Sequence, residues 1–235
     1  MTIRHSCMRN KIRDVIVERI LDGTYPAGMR LKELVLAAEF DVSQTPLREA
    51  LRELEALGLV ASEHYRGTHV LATDVQQLRE AYELRAMLEE RAAQLAVPCS
   101  PHVLETLRKE LERMRSTWRR RHLKEHAAAA AAFHRTLIAA SGNSTLLRVW
   151  DSLYWEIRIR VAIQQTRKQN MDGEAFFDIH ESVLKLLTAG DGRTAGQELR
   201  RFMDDVLKAM AQDQPISKPA RTTRRKRAGD LAAQA

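Results

Sequence analysis

Three groups of residues in this chain have the types and spacing to do chemistry. The first is an arginine and two histidines set among apolar positions. Arg85 interrupts a helical stripe of Leu78, Ala81, Leu88, Ala92 and Leu95. His134 shares a helical face with Ala130, Leu137 and Ser141, and His180 shares one with Phe176, Val183 and Leu187. One such residue alone is usually a satisfied core group. Three converging between helices would bind a carboxylate or a metal ion. The second group is Gln44, Arg48 and Arg52, one turn apart on a face opposite Leu47, Ala50, Leu51, Leu54 and Leu57. A helix that opens with Ser43, Gln44 and Thr45 and carries two arginines can enter a major groove and touch bases and phosphates. A solvated charged face is the plainer alternative. The third group is His64, Arg66 and Gly67 at a predicted hairpin tip. Glycine permits positive φ there, and a basic tip reaches phosphates or a minor groove.

Helix signals dominate the elements that must hold these residues. Apolar periodicity predicts helices over about 10–22, 32–40 and 44–57. Ser43 suits the N-cap of the third, Pro46 its first turn and Gly58 the position after its end. Leu59–Glu63 and Thr68–Leu71 read as two short strands, the one clear β signal. Further helices are expected near 74–97, 101–122, 123–141, 143–166, 173–189 and 192–212. The fold class is therefore mainly α: an N-terminal winged helix-turn-helix with a small β-hairpin wing, then an all-α helical bundle. The expected domains are 8–72 for DNA binding and 74–212 for ligand binding and dimerisation, with 213–235 a disordered basic tail.

Charge placement is more informative than the total. The chain of 235 residues carries a formal +7, of which residues 214–235 supply +5. The body is thus nearly neutral, and a basic total alone does not imply nucleic-acid binding. No apolar run approaches the ~18–20 residues that a membrane span needs. The polar, basic start argues against a secretory signal. Cys7 and Cys99 form no paired framework, which fits a reduced cytoplasmic protein.

Residues 10–71 resemble the GntR-type winged helix domain. The segments that carry the resemblance are Ile20–Leu31 (ILDGTYPAGMRL), Val42–Leu51 (VSQTPLREAL), Leu57–Val60 (LGLV) and Arg66 with Gly67. It implies DNA contacts at Ser43, Gln44, Thr45, Arg48 and Gly67. The family usually has arginine where Gln44 stands, and many members have it where Leu34 stands, so the operator should differ. Residues 74–210 resemble the FCD-type ligand domain through Glu83–Glu89 (ELRAMLE), Phe133–Asn143 (FHRTLIAASGN), Ile179–Val183 (IHESV), Gly190, Asp191 and Ala195. That family, of the FadR-like subfamily, often holds a divalent metal through one Asp and three His. Here Ala130 stands at the Asp position and Phe202 at the third His position, which leaves only His134 and His180 as metal candidates. Such sites usually need three or four protein ligands.

The expected function is a sequence-specific transcriptional regulator, a repressor by preference, that binds a double-stranded DNA operator as a homodimer. Its expected effector is a small metabolite, an organic acid, lined by Arg85, His134, His180 and Arg158, with no certain cofactor and no membrane partner. Two rival readings are a helical metal-dependent hydrolase using His134, His180 and Glu181, and a nonspecific nucleic-acid binder acting through the tail. The sequence has no HExxH, GxSxG, CxxC or P-loop to support an enzyme.

Overall fold

The computed structural model describes residues 2–63, 65–166 and 173–212. The expected tail and His64 lie outside them. The head comprises α1 (Thr2–Leu21), β1 (Arg30–Leu31), α2 (Glu33–Glu39), α3 (Gln44–Ala56), β2 (Val60–Glu63) and β3 (Gly67–Val70). Its antiparallel sheet has the order β1-β3-β2, with Arg30 opposite His69 and Val60 opposite Val70. The two-residue strand β1 was not expected, because two residues carry no period. Ile12, Ile16 and Val17 of α1 meet Leu47, Leu51 and Leu54 of α3 in the core of the head. Burying one such side chain contributes about 1.5–3 kcal/mol.

Among the described residues seven helices follow: α4 (Val75–Ala96), α5 (Pro101–Arg119), α6 (Leu123–Ala140), α7 (Ser144–Ser152), α8 (Trp155–Thr166), α9 (Gly173–Thr188) and α10 (Gly192–Gln212). Caps fix several starts. Asp74 accepts from the amides of Gln76 and Gln77, Ser100 from Val103, and Asn143 from Thr145 and Leu146. Helix α6 is central and touches α4, α5, α7 and α8. Helix α10 lies along α4 at very close range. A β-carbon added to Gly192 would stand 2.3 Å from the Ala93 carbonyl oxygen, so only glycine permits this approach.

The helix expected over 143–166 is two helices. Leu153 and Tyr154 separate α7 from α8, and Tyr154 adopts φ +50°. Neither residue is a glycine or a proline, so the sequence carries no stop signal there. Asp22 and Gly23 directly follow the last residue of α1.

Candidate DNA-reading face and buried charge cluster

The amphipathic period of α3 divides its two faces cleanly. Leu47, Ala50, Leu51 and Leu54 are buried, while Ser43, Gln44, Thr45, Arg48 and Arg52 are exposed. Ser43 occupies the N-cap with extended backbone, but its side chain makes no cap hydrogen bond. The expected capping role of its hydroxyl is therefore corrected. The Arg48 guanidinium donates to Glu33 Oε2 at 2.6 Å, with side chains 59% and 33% exposed. Glu53, farther along the same helix, is turned onto α1, where Arg9 and Arg13 hold it at 2.9 Å. Those pairs remove a negative charge from the outward face. At the wing tip Gly67 adopts φ +75° and Arg66 pairs loosely with Glu63 at 3.2 Å. Tyr65, which sequence reasoning passed over, is 93% exposed between them. Its place at the hairpin tip was the signal that it faces outward.

The second domain buries charge. Arg85, Glu89, His134 and His180 are all buried among apolar neighbours. Arg85 Nε donates to Glu89 Oε1 at 2.7 Å, with side chains 3% and 0% exposed. The guanidinium lies 5.1–5.6 Å from the ring centres of Tyr82, Trp150 and Trp155, inside the range of cation–π attraction. Burial alone would raise the Glu89 carboxyl, but Arg85 and then His134 outweigh it and hold it at about 2. Burial pushes both imidazoles down, His180 to about 3. Burial thus disfavours a charge on either ring, and the buried ion pair is Arg85 with Glu89.

The donors and acceptors around the imidazoles do not close. His180 Nδ1 lies 2.8 Å from the Phe176 carbonyl, to which it must donate. Neutral His180 then accepts at Nε2, so His134 Nε2 donates across the 3.1 Å gap between them. Two neutral imidazoles thus supply one proton too few for the 2.9 Å contact of His134 Nδ1 with the ionised Glu89 Oε2, and those two atoms form no well-directed hydrogen bond. Trp155 Nε1 is a third buried polar atom without a partner. Buried polar groups are nearly always satisfied, so this region lacks a donor in one place and an acceptor in another.

Arg85, His134 and His180 therefore come together as the sequence suggested. Arg158 does not join them. The break at Tyr154 turns α8 so that Arg158 donates to the Leu153 carbonyl at 2.9 Å. Its side chain lines a small cavity between the domains with Leu57, Gln77 and Val161. Glu89 was missed as a site residue, although it stands one turn after Arg85 on the same face. Glu181, the acid of the hydrolase reading, is held elsewhere by Arg115 at 2.7 Å and Lys185 at 3.1 Å.

Two family models match the chain: bacterial regulatory proteins of the gntR family over residues 8–70, and the FCD domain over 80–205. The chain belongs to the GntR family. It is a transcription regulator with a DNA-binding head and not an enzyme. It is 33% identical to the "Probable D-xylose utilization operon transcriptional repressor" of Paenarthrobacter nicotinovorans over 209 residues, which cover 89% of this chain and 91% of that protein. It is 29% identical to the "Gluconate operon transcriptional repressor" of Bacillus licheniformis over 195 residues, which cover 80% of this chain and 79% of that protein. A GntR regulator from Rhodococcus sp. RHA1 has the same fold, with TM-score 0.70 at 21% identity over 88% of this chain and 99% of that one.

The divalent metal that the FCD resemblance implies does not fit the residues of this GntR protein. Ala130 is buried one turn before His134 and offers no donor atom. The Phe202 ring centre lies 5.3 Å from that of His180 and 5.0 Å from that of Phe176, filling the corner of a third imidazole. His126, two turns before His134, turns its Nδ1 to the Met114 carbonyl at 3.1 Å. Among the described residues no three His, Cys, Asp or Glu are grouped to hold a metal ion, and none of their helices is long and apolar enough to cross a membrane.

Proposed function

We propose that the protein acts in the cytoplasm as a homodimeric repressor that leaves a two-fold operator when a small hydroxylated organic acid binds its second domain. The observation that carries the DNA reading is the outward face of α3, with Ser43, Gln44, Thr45, Arg48 and Arg52 exposed over a hidden leucine core. Arg66 and Gly67 of the wing would follow the flanking backbone. A single winged helix covers little DNA, and a two-fold operator requires a two-fold protein.

The effector reading is supported by the unpartnered atoms around Arg85. A ligand that moved His134 off Glu89 would donate a hydroxyl to Glu89 Oε2, and its carboxylate oxygen would accept from Trp155 Nε1 beside the guanidinium. Such a ligand needs no metal, and we include a metal-free pocket in the proposal. Two relatives are named for D-xylose and gluconate operons, which agrees with a polyhydroxylated ligand.

Helix α8 would carry the signal. Its first residue, Trp155, stacks with Trp150 at 5.1 Å. Farther along, Arg160 binds Glu18 of α1 at 2.8 Å, and Gln164 donates to the Leu21 carbonyl at 2.6 Å. A ligand that favours one position of Trp155 therefore biases the position of the head. The test is a thermal-shift screen of the full chain against gluconate and related hydroxy acids, followed by operator binding with each hit. Stabilisation that is lost in Trp155→Phe and accompanied by operator release supports the proposal. Hits that stabilise Trp155→Phe equally contradict it.

A further inference from the structure

Strand β1 is only two residues long, yet it fixes the place of one arginine. Leu31 is buried and Arg30 beside it is exposed, as the alternation of a strand requires. The Gly28 amide donates to the Val70 carbonyl at 2.8 Å, and the Val70 amide to the Met29 carbonyl at 2.9 Å, which holds this segment on β3. Arg30 stands opposite His69, so both side chains leave the same face of the sheet. Gly67, two residues before His69, belongs to that face as the diagonal neighbour of Arg30.

Gly67 leaves a notch on this face, and Arg30 points into it. A β-carbon added to Gly67 would lie 3.3 Å from Arg30 Nε and 3.3 Å from Nη2, but 3.7 Å from Cζ. Equal distances to the two nitrogens and a longer one to the carbon mean that the guanidinium turns its Nε–Nη2 edge, not its flat face, toward the notch. That edge carries two parallel N–H donors, a fork that matches two oxygens of one phosphate. Among the described residues the Arg30 side chain makes no hydrogen bond or ion pair. Glu63, opposite Gly67 on β2, is engaged by Arg66 at 3.2 Å and His69 at 3.7 Å.

We propose that Arg30 and Gly67 together form a phosphate-binding notch on the wing, which takes a backbone phosphate of the DNA beside the stretch that α3 reads. This inference rests on the DNA reading above and adds to it a residue outside α3 and the hairpin tip. The notch is shallow and open, and its cation lies against its own sheet. A duplex that follows the wing presents phosphates at that depth, whereas base edges lie deeper in the grooves. Gly67 then has two duties. It supplies the positive φ of the turn, and its missing β-carbon lets an oxygen reach the fork.

The experiment is fluorescence anisotropy of the full-length wild type, Arg30→Gln and Arg30→Lys on a duplex from upstream of the protein's own gene, over a series of potassium chloride concentrations. Each phosphate contact contributes about 0.9 to the slope of log affinity against log salt. Arg30→Gln lowers the magnitude of that slope by about 1 per bound subunit and weakens binding about tenfold at fixed salt. Arg30→Lys keeps the charge but loses the fork, so it keeps the slope and recovers only part of the affinity. Melting temperatures equal to wild type show that the sheet is intact. Folded Arg30→Gln with the affinity and slope of wild type overturns the notch and leaves the α3 reading standing. So does a loss of affinity at unchanged slope, which a merely structural role of Arg30 would give. Arg30→Lys that binds as wild type overturns the fork. A wild type that does not bind this DNA overturns both readings.

Discussion

Arg48 and Arg85 are held by glutamates at almost the same distance, 2.6 Å and 2.7 Å, yet the two pairs are opposites in energy. Arg48 and Glu33 stand in solvent, where water screens the attraction and an exposed pair contributes about 0–1 kcal/mol. Arg85 and Glu89 are closed off from solvent, where neither charge has water to fall back on. Distance is therefore a poor guide to what a salt bridge does. The exposed pair leaves its arginine free to exchange a carboxylate for a phosphate or a base edge. The buried pair fixes its arginine as part of the core, so that a ligand must fit around it.

The contrast breaks most visibly if one buried partner is removed. Arg85→Met leaves Glu89 without its compensating charge and should cost about 3–5 kcal/mol of stability in urea unfolding. Adding Glu89→Leu should recover most of that loss, since a well-packed apolar pair often replaces a buried ion pair at little cost. A loss below about 1 kcal/mol for the single variant would mean that the cluster admits water and resembles the surface pair.

Acid titration sharpens the same contrast. Glu89 is lowered from 4.5 to about 2, so its contribution is complete above 4.5 and disappears as pH falls toward 2. His180 is lowered from 6.5 to about 3, so its contribution is complete above 6.5 and is lost progressively toward 3. Burial lowers His126 and His134 in the same direction. Melting temperatures recorded from pH 8 to pH 4 should therefore fall, and His180→Phe should flatten the fall below pH 6.5. An unchanged slope in that variant would contradict a buried neutral imidazole.

The smallest effect belongs to the surface pair. Glu33→Gln frees Arg48 and removes a negative charge beside the DNA-reading face. Stability should stay within about 0.5 kcal/mol. Operator affinity should rise about two- to fivefold, the scale of an exposed ion pair. Weaker operator binding would show that Glu33 orients Arg48 productively.

The same physics explains what was legible in the sequence. The two faces of α3 were readable because burial of Leu47, Leu51 and Leu54 imposes a helical period that its polar residues must avoid. Gly58 and Gly67 marked turns because both need positive φ, and they adopt +70° and +75°. The convergence of Arg85, His134 and His180 was readable for the complementary reason, since each breaks an apolar stripe. Glu89 escaped because an acid on a helix ordinarily reads as a solvated residue, and only the neighbouring Arg85 makes its burial tolerable. The separation of Arg158 from the cluster followed from the break at Leu153 and Tyr154, where no residue type announced the left-handed backbone of Tyr154. The missing cap hydrogen bond of Ser43 was equally silent, because serine serves a cap and a DNA contact alike.

The central claim is that α3 reads duplex DNA through its exposed arginine face. Fluorescence anisotropy with DNA from upstream of the protein's own gene, comparing wild type with Arg48→Ala at fixed salt, tests it most directly. The expected result is a loss of about 1–3 kcal/mol, roughly ten- to a hundredfold in affinity, with an unchanged melting temperature. Equal affinity of the two proteins for that DNA, with both folded, would contradict the account.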